Sequence, residues 1–364
     1  MGGRKQYYLP LPVLLLFFLL AACAAPAQAP AATTVPALTQ PPPAVTPSPP
    51  AAIQEDIFQN PVLRNNFPDP AITQVGELYY AFATNGFGKN VQAARSPDLV
   101  TWEVLPDAMP ALASWVQFSR SDVWAPEMIQ IGERFVLYYT ARHRDSGRQC
   151  VGVATSEQPE GRYRDTNDQP LVCQVQEGGS IDAHPFREGD NLYLYWKNDG
   201  NCCSLPTYLY VQELAPDGLS LAGEPQRLLR NDAPWEGAVV EAPTMFKYED
   251  GYYLFYSGNS YAGFEYAIGY AVCQSPAGPC EEANENPILQ SSREPPLVVG
   301  PGHQDVIQIG DQTWIVYHAW EVSSAGMRTD RRFMWMDRIH WEDGRPVVLG
   351  PTTDPQPAPE ISTP

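Results

Sequence analysis

The sequence predicts an all-β domain built as a five-bladed β-propeller, and three observations predict it. Helical periodicity is scarce between residues 55 and 353, where short aromatic and β-branched runs are bounded by Gly, Pro, Asn and Asp. One pattern recurs five times, in "VGELYYAFATNG", "IGERFVLYYTAR", "EGDNLYLYWKND", "EDGYYLFYSGN" and "IGDQTWIVYHAW": a turn glycine, then a strand rich in Tyr, Trp, Phe, Leu and Val. The glycines, Gly76, Gly132, Gly189, Gly251 and Gly310, stand 56, 57, 62 and 59 residues apart. A unit of about sixty residues suits four short antiparallel strands and their turns, and such sheets repeated radially make a propeller. Blades covering both faces of a strand also explain why these runs are almost continuously apolar instead of alternating. An irregular β-sandwich requires no such even spacing.

The segments outside the repeats come first and last. Arg4 and Lys5 precede an apolar run, Leu9–Ala22, that is short for a membrane span and ends abruptly, the pattern of a secretory signal. Its end, "LAAC" (Leu20–Cys23), resembles the bacterial lipoprotein signal, which implies cleavage before Cys23 and lipid attachment to its thiol. Residues 24–54 are mostly Ala, Pro, Thr and Gln with no charge before Glu55, a composition that buries no core and suits an extended, semi-rigid tether. The propeller is expected over 55–353. Residues 354–364 are expected to be a disordered tail, with no appended domain.

Cysteines and charge bound the environment. Six cysteines remain after Cys23, an even number that suits disulfides in an exported chain. The spacing of Cys273 and Cys280 around "QSPAGP" favours a local bridge, and Cys150 with Cys173 is the next pair. Adjacent Cys202 and Cys203 have no partner assigned by spacing, and no C-x-x-C pair marks a zinc site. A net charge of -19 repels nucleic acid and anionic membrane faces, so a neutral partner is expected and membrane contact only through the lipid anchor. The domain is expected to act as a monomer.

Each repeat carries an ionisable residue just ahead of its hairpin. These are Asp69 in "FPDPA", Glu127 in "VWAPEM", Asp182 in "SIDAHP", Glu241 in "VVEAPT" and His303 in "GPGHQDV". The offset to the glycine is seven residues for Asp69, Asp182 and His303, five for Glu127 and ten for Glu241. A propeller brings equivalent positions round one axis, so these groups are expected to meet at one mouth of the central channel. Crowded carboxylates in a partly buried funnel drive their pKa values apart, leaving one ionised beside one protonated. That is the apparatus of glycoside hydrolysis.

Taken in order, "FPDPA", "WAPE", "SIDAHPF", "VEAPTM" with "GYYLFYSGN", "GPGHQDV" and "RRFMWMDRIHWEDGRPVVLGPT" resemble glycoside hydrolase family 43, from about Asn60 to Pro351. The resemblance implies a propeller enzyme that acts with inversion on arabinofuranosides and xylosides of plant polysaccharides such as arabinan, arabinoxylan and xylan. It implies Asp69 as general base, Glu241 as general acid and Asp182 as the carboxylate that orients the acid and raises its pKa. Inversion requires the Asp69 and Glu241 carboxyls to stand about 6.5 to 9.5 Å apart, leaving room for water. The resemblance further implies Trp124 as an apolar wall for a sugar ring and Arg332 as a ligand of sugar hydroxyls, although adjacent Arg331 leaves that register open. His303 matches a histidine near an axial metal ion or water, so a structural Ca2+ in the channel is allowed, while no cofactor is required for chemistry. Two positions depart from the family: Glu127 stands where Asp is common, which makes it a supporting or subsite residue, and Ala242 where Gly is common.

The segment "NDGNCCSLPTY" (198–208) is expected to wall a subsite and tilts the expected activity toward an exo-acting α-L-arabinofuranosidase, ahead of β-xylosidase and endo-arabinanase. A fructosidase-like retaining propeller and a lipid-tethered glycan binder without catalysis are the alternatives. Serine-hydrolase, zinc-protease and nucleotide-binding motifs are absent from the sequence.

Overall fold

Each of the five repeats folds into its own antiparallel sheet. The computed structural model describes residues 56–118, 122–295, 297–323 and 326–361. The signal segment, Cys23 and the tether expected over 24–54 lie outside them. Blade 1 pairs Ala71–Val75, Leu78–Ala83, Gln92–Ser96 and Glu103–Val104 in that order. Blade 2 pairs Trp124–Ile131, Arg134–Arg142 and Gln149–Ser156, and blade 3 pairs Ser180–Glu188, Asn191–Asn198, Tyr208–Leu214 and Leu221–Arg230. In blade 4 the order is Val240–Tyr248, Gly251–Gly258, Ala267–Cys273 and Cys280–Glu282, and in blade 5 Val299–Ile309, Gln312–Val322, Arg328–Glu342 and Arg345–Val348. The chain is a five-bladed β-propeller, as the repeats predict.

The hydrophobic core is divided among the seams between blades. Along the second strand of blade 2, Leu137 and Tyr139 pack with Tyr80 and Phe82 of blade 1, while Val136 and Tyr138 pack with Leu192 and Leu194 of blade 3. Equivalent clusters join blades 3 and 4, 4 and 5, and 5 and 1. Successive residues of these strands thus face opposite neighbours, and both faces are dry. Each large side chain buried this way contributes about 1.5 to 3 kcal/mol, which is why the sequence keeps the runs apolar throughout.

Around the axis the first strands are tied to one another by polar contacts at every seam. Thr73 Oγ1 donates to Met128 O at 2.7 Å, and His184 Nδ1 meets Glu127 Oε2 at 2.6 Å. His184 Nε2 lies 3.3 Å from Met245 O, Thr244 Oγ1 donates to Gln304 O at 2.8 Å, and Ile72 N donates to Asp305 Oδ2 at 2.6 Å. These five links run from blade 1 to 2, 2 to 3, 3 to 4, 4 to 5 and back to 1.

The ring is closed by both ends of the domain. Residues ahead of Asp69 run along blade 5, with Phe67 N donating to Arg332 O at 2.8 Å and Leu63 N to Met334 O at 3.3 Å. Ile57–Phe58 pairs antiparallel with Gln356–Pro357. Residues 354–361 are therefore structured, contrary to the disordered tail expected there. Ala358 N donates to Asp56 O at 2.8 Å, and Ile361 packs on the cluster between blades 5 and 1, so this stretch gains both hydrogen bonds and apolar burial. Disulfides join Cys273 to Cys280, Cys150 to Cys173 and, between neighbours, Cys202 to Cys203.

The hairpin turns correct one detail of the repeat. Gly76, Gly132, Gly189 and Gly310 all have positive φ, but in blade 4 the left-handed turn residue is Glu249 (φ 51°), not Gly251. Seven residues ahead of each of these five turns lies another left-handed residue: Asp69 (φ 58°), Ala125 (φ 39°), Asp182 (φ 58°), Ala242 (φ 53°) and His303 (φ 48°). The uneven offsets of five and ten residues seen in sequence thus reduce to one constant spacing.

Candidate active site

The left-handed residues mark where each first strand bends into the channel. In blades 2, 4 and 5 the strand slips register across Trp124/Glu127, Glu241/Thr244 and Gly302/Asp305, and in blade 3 the slip falls between Tyr195 and Lys197. A bulge with one left-handed residue re-aims the neighbouring side chains and stops the ladder locally. Non-glycine residues adopt such φ values at a cost of about 1 kcal/mol or more, and Asp tolerates it better than Ala. Asp69 and Asp182 sit at the bend itself, and Glu241 sits one residue before it.

Asp69 is held as a carboxylate. Arg332 Nη1 donates to Asp69 Oδ1 at 2.7 Å, Thr84 Oγ1 donates to Oδ2 at 2.5 Å, and His303 Nδ1 lies 3.5 Å from Oδ1. Buried His318 places Nδ1 3.2 Å from both the backbone nitrogen and Oδ1 of Asp69. Burial alone would push this carboxyl up, but Arg332, His303 and His318 together outweigh it and hold Asp69 well below the usual carboxylate range. His318 itself is brought down to about 3 by burial and the neighbouring Arg332.

Asp182 behaves in the opposite way. Burial, with the charges of Glu241 and Asp69 nearby, pushes it up to about 6 against the pull of His303 and Lys197. Its Oδ2 accepts from Ala242 N at 3.1 Å, which ties it to the residue next to Glu241. Glu241 is buried, and both its oxygens are engaged: Oε1 accepts from Tyr266 OH at 2.7 Å and Oε2 from Lys197 Nζ at 3.2 Å. Blades 1, 3 and 4 thus deliver three carboxyl groups to one buried site, with Asp69 driven down and Asp182 driven up.

The sequence profile of Glycosyl hydrolases family 43 matches residues 58–346. The chain belongs to this family. It is 26% identical over 307 residues to the probable arabinan endo-1,5-alpha-L-arabinosidase A of Aspergillus flavus, covering 78% of this chain and 91% of that protein. It is 30% identical over 246 residues to the extracellular endo-alpha-(1->5)-L-arabinanase of Thermotoga petrophila (58% and 50% covered). With the beta-xylosidase of Bacillus subtilis it shares 24% over 324 residues (80% and 56%). The crystal structure of a thermostable family-43 glycoside hydrolase superposes with a TM-score of 0.75 at 33% identity, covering 84% of this chain and all of that one.

Other residues of this family-43 hydrolase fall less uniformly. Of the two adjacent arginines, Arg332 lies beside Asp69, with its guanidinium 5.0 Å from the Tyr261 ring and 5.3 Å from the Trp320 ring, whereas Arg331 pairs with Glu321 at the surface. Arg332 spends one of its nitrogens on Asp69, so this guanidinium is tied to a carboxylate of the site. Trp124 is partly buried at the head of blade 2's first strand. Glu127 faces away from the three acids in its bonding: it pairs with His184, two residues beyond the bend, where burial and the charge of Glu127 push nearby Asp305 up to about 7. Burial alone would lower His184, but Glu127 outweighs it and raises the ring's pKa. Glu127 thus takes part in the polar ring that joins the blades.

His303 does not stand in a protein-built cation cage. Among the described residues, three His, Cys, Asp or Glu ligand atoms gather within 4.8 Å only at His143, Cys150 and Cys173 and at Asp232, Glu236 and Glu282. The first group has both sulfurs in a disulfide, and neither includes His303. Ca2+ takes six to eight oxygen ligands, so an ion beside His303 would draw most of them from water and not from acidic side chains.

Lys197, Asp199, Tyr266 and His318 escaped the sequence reading. A lysine inside "NLYLYWKND" was the available signal, since a buried charge in an apolar strand needs a partner. Asp199 lies near Lys197 and Glu241, and burial pushes it up to about 6.

Proposed function

We propose that this hydrolase cleaves arabinofuranosyl or xylosyl linkages of neutral plant polysaccharides with inversion, α-L-arabinofuranosides being preferred. The observation that carries the reading is the trio of buried carboxyls: Asp69 ionised by its cationic neighbours, with Asp182 and Glu241 alongside on adjacent blades. Asp69 would take a proton from water as that water attacks the anomeric carbon. Glu241 would give a proton to the departing glycosidic oxygen, and Asp182, tied to Ala242 N, would hold the acid and govern its charge. The turn Gly200–Cys203 is joined through Asn201 to Lys197, and Tyr261 is set against Arg332, so two loops would border the site. Loops so placed would favour a pocket for a chain end, hence exo action. Endo-arabinanase action is the second reading, favoured by the names of the Aspergillus and Thermotoga relatives.

Incubating the domain with aryl α-L-arabinofuranoside, aryl β-xyloside and linear arabinan, and reading the first product anomer by NMR, tests both specificity and inversion. Glu241→Gln is expected to lower turnover by about a hundred- to ten-thousand-fold, the usual contribution of general acid catalysis. Unchanged turnover in that variant would remove the acid assignment, and retained anomeric configuration would remove Asp69 as base. We also infer export and lipid anchoring at Cys23, from the "LAAC" segment. Release of the protein from the membrane fraction by Cys23→Ser is the expected outcome, and an unchanged distribution contradicts it.

A further inference from the structure

The end of the second strand of blade 3 holds a charge that the scheme above does not use. Lys197 has 0% of its surface exposed and directly follows the run Leu192–Trp196 in the strand Asn191–Asn198. Its Nζ donates to Glu241 Oε2 at 3.2 Å and to Asn201 Oδ1 at 2.7 Å. Asn201 lies in the 3-10 turn Gly200–Cys203, where Cys202 and Cys203 are joined to each other. Arg148, from blade 2, donates to the sulfurs of that pair, Nη1 standing 2.6 Å from Cys203 and 3.4 Å from Cys202. A bond between neighbouring cysteines and an arginine across the seam leave the turn little freedom, and with it Asn201 and Lys197.

We propose that Lys197, held by Asn201 on this disulfide-closed turn, is a positioning residue that fixes the Glu241 carboxyl for proton delivery and sets the pH at which the acid is lost. The proposal rests on Glu241 being the general acid. Lys197 grips one carboxyl oxygen from blade 3 while Tyr266 grips the other from blade 4, so one orientation is enforced. The charges that interact with both Lys197 and Glu241 are Asp182 and Asp199 of blade 3; Asp69 of blade 1 and His303 of blade 5 act on Asp182, and Arg142 and Arg148 of blade 2 act on Asp199. Lys197 is the cation in direct contact with the acid among them. A cation beside a carboxyl favours its ionised form, and removing it shifts proton release to higher pH.

The test is the pH profile of kcat and KM for full-length Lys197→Met, Lys197→Arg and Asn201→Ala on an aryl arabinofuranoside, with Tm measured in parallel. Lys197→Met is expected to move the alkaline limb up by about one pH unit or more, to lower kcat at least tenfold and to leave KM within about threefold. Lys197→Arg is expected to restore most of the limb, and Asn201→Ala to move it in the same direction by less. If the limb stays in place in both Lys197→Met and Asn201→Ala while Tm falls, the lysine is only structural and the proposal is overturned. Should Lys197→Met fail to fold, the Asn201→Ala limb decides alone. Glu241→Gln separates the two levels: if it keeps full activity the acid assignment falls with this proposal, whereas an inert Glu241→Gln with an unmoved limb in the lysine variant overturns the proposal alone.

Discussion

Asp69 and Asp182 occupy the same bend on blades 1 and 3, yet near pH 5 one is ionised and the other carries its proton. The difference is made by neighbours. Asp69 has a guanidinium at 2.7 Å, while Asp182 has a backbone N–H at 3.1 Å and two like charges nearby. The two groups also act oppositely on stability. Asp69, depressed when folded, contributes stability that is present above the unfolded carboxylate pKa of about 4 and lost as pH falls through its folded value. Asp182, raised when folded, costs stability as pH rises from about 4 to about 6, on the order of 2 to 3 kcal/mol in full. Asp182→Asn retains an oxygen to accept from Ala242 N and removes the charge. Its Tm is therefore expected to exceed that of the parent at pH 7.5 but not at pH 4, with turnover reduced and any acidic limb near pH 6 abolished. Scanning calorimetry at the two pH values reads the sign directly, and a lower Tm at pH 7.5 would mean that the carboxylate is better solvated than the structure indicates.

At the scale of the strand, the bend is supported by close packing that leaves no room for added atoms. A Cβ on Gly302, one residue before the bend of blade 5, would overlap the ring of Tyr266, whose hydroxyl holds Glu241. Gly302→Ala is expected to lower kcat at least tenfold while far-UV circular dichroism stays unchanged; full activity would show that Tyr266 is not needed to hold the acid. This element also shows what sequence could and could not reveal. Strand runs and the acids before them were legible because burial on both faces forces apolar continuity and because the resemblance covers all five motifs. The constant seven-residue offset was hidden in blade 4, where Glu249 takes the left-handed turn and a glycine happens to follow two residues later. Lys197 and His318 were hidden because their partners lie on other blades, at Glu241 and Asp69. No spacing along the chain encodes such contacts.

For the whole molecule, closure was the least legible property, since two-residue strands leave almost no pattern. Yet Gln356 and the residues after it make several contacts: Gln356 Nε2 reaches Asp337 Oδ1 at 3.1 Å, Glu360 N donates to Gln312 Oε1 at 3.2 Å, and Ile361 joins the seam between blades 5 and 1. Ending the chain after Thr353 removes all of these, and the expected cost is on the order of 2 to 4 kcal/mol, a few hydrogen bonds of about 1 kcal/mol each plus one partly buried apolar side chain. A chemical-denaturation midpoint unchanged by that truncation would show that blade 5 seals against blade 1 without it. The pairing of Ile57 with Pro357 has one more consequence. Where the two ends of a ring lie side by side and every seam is tied in a like manner, the point at which the polymer starts is arbitrary. The ends could be joined there and the chain reopened at an exposed hairpin such as Gly132–Glu133, giving a circular permutant whose three acids still meet at the axis.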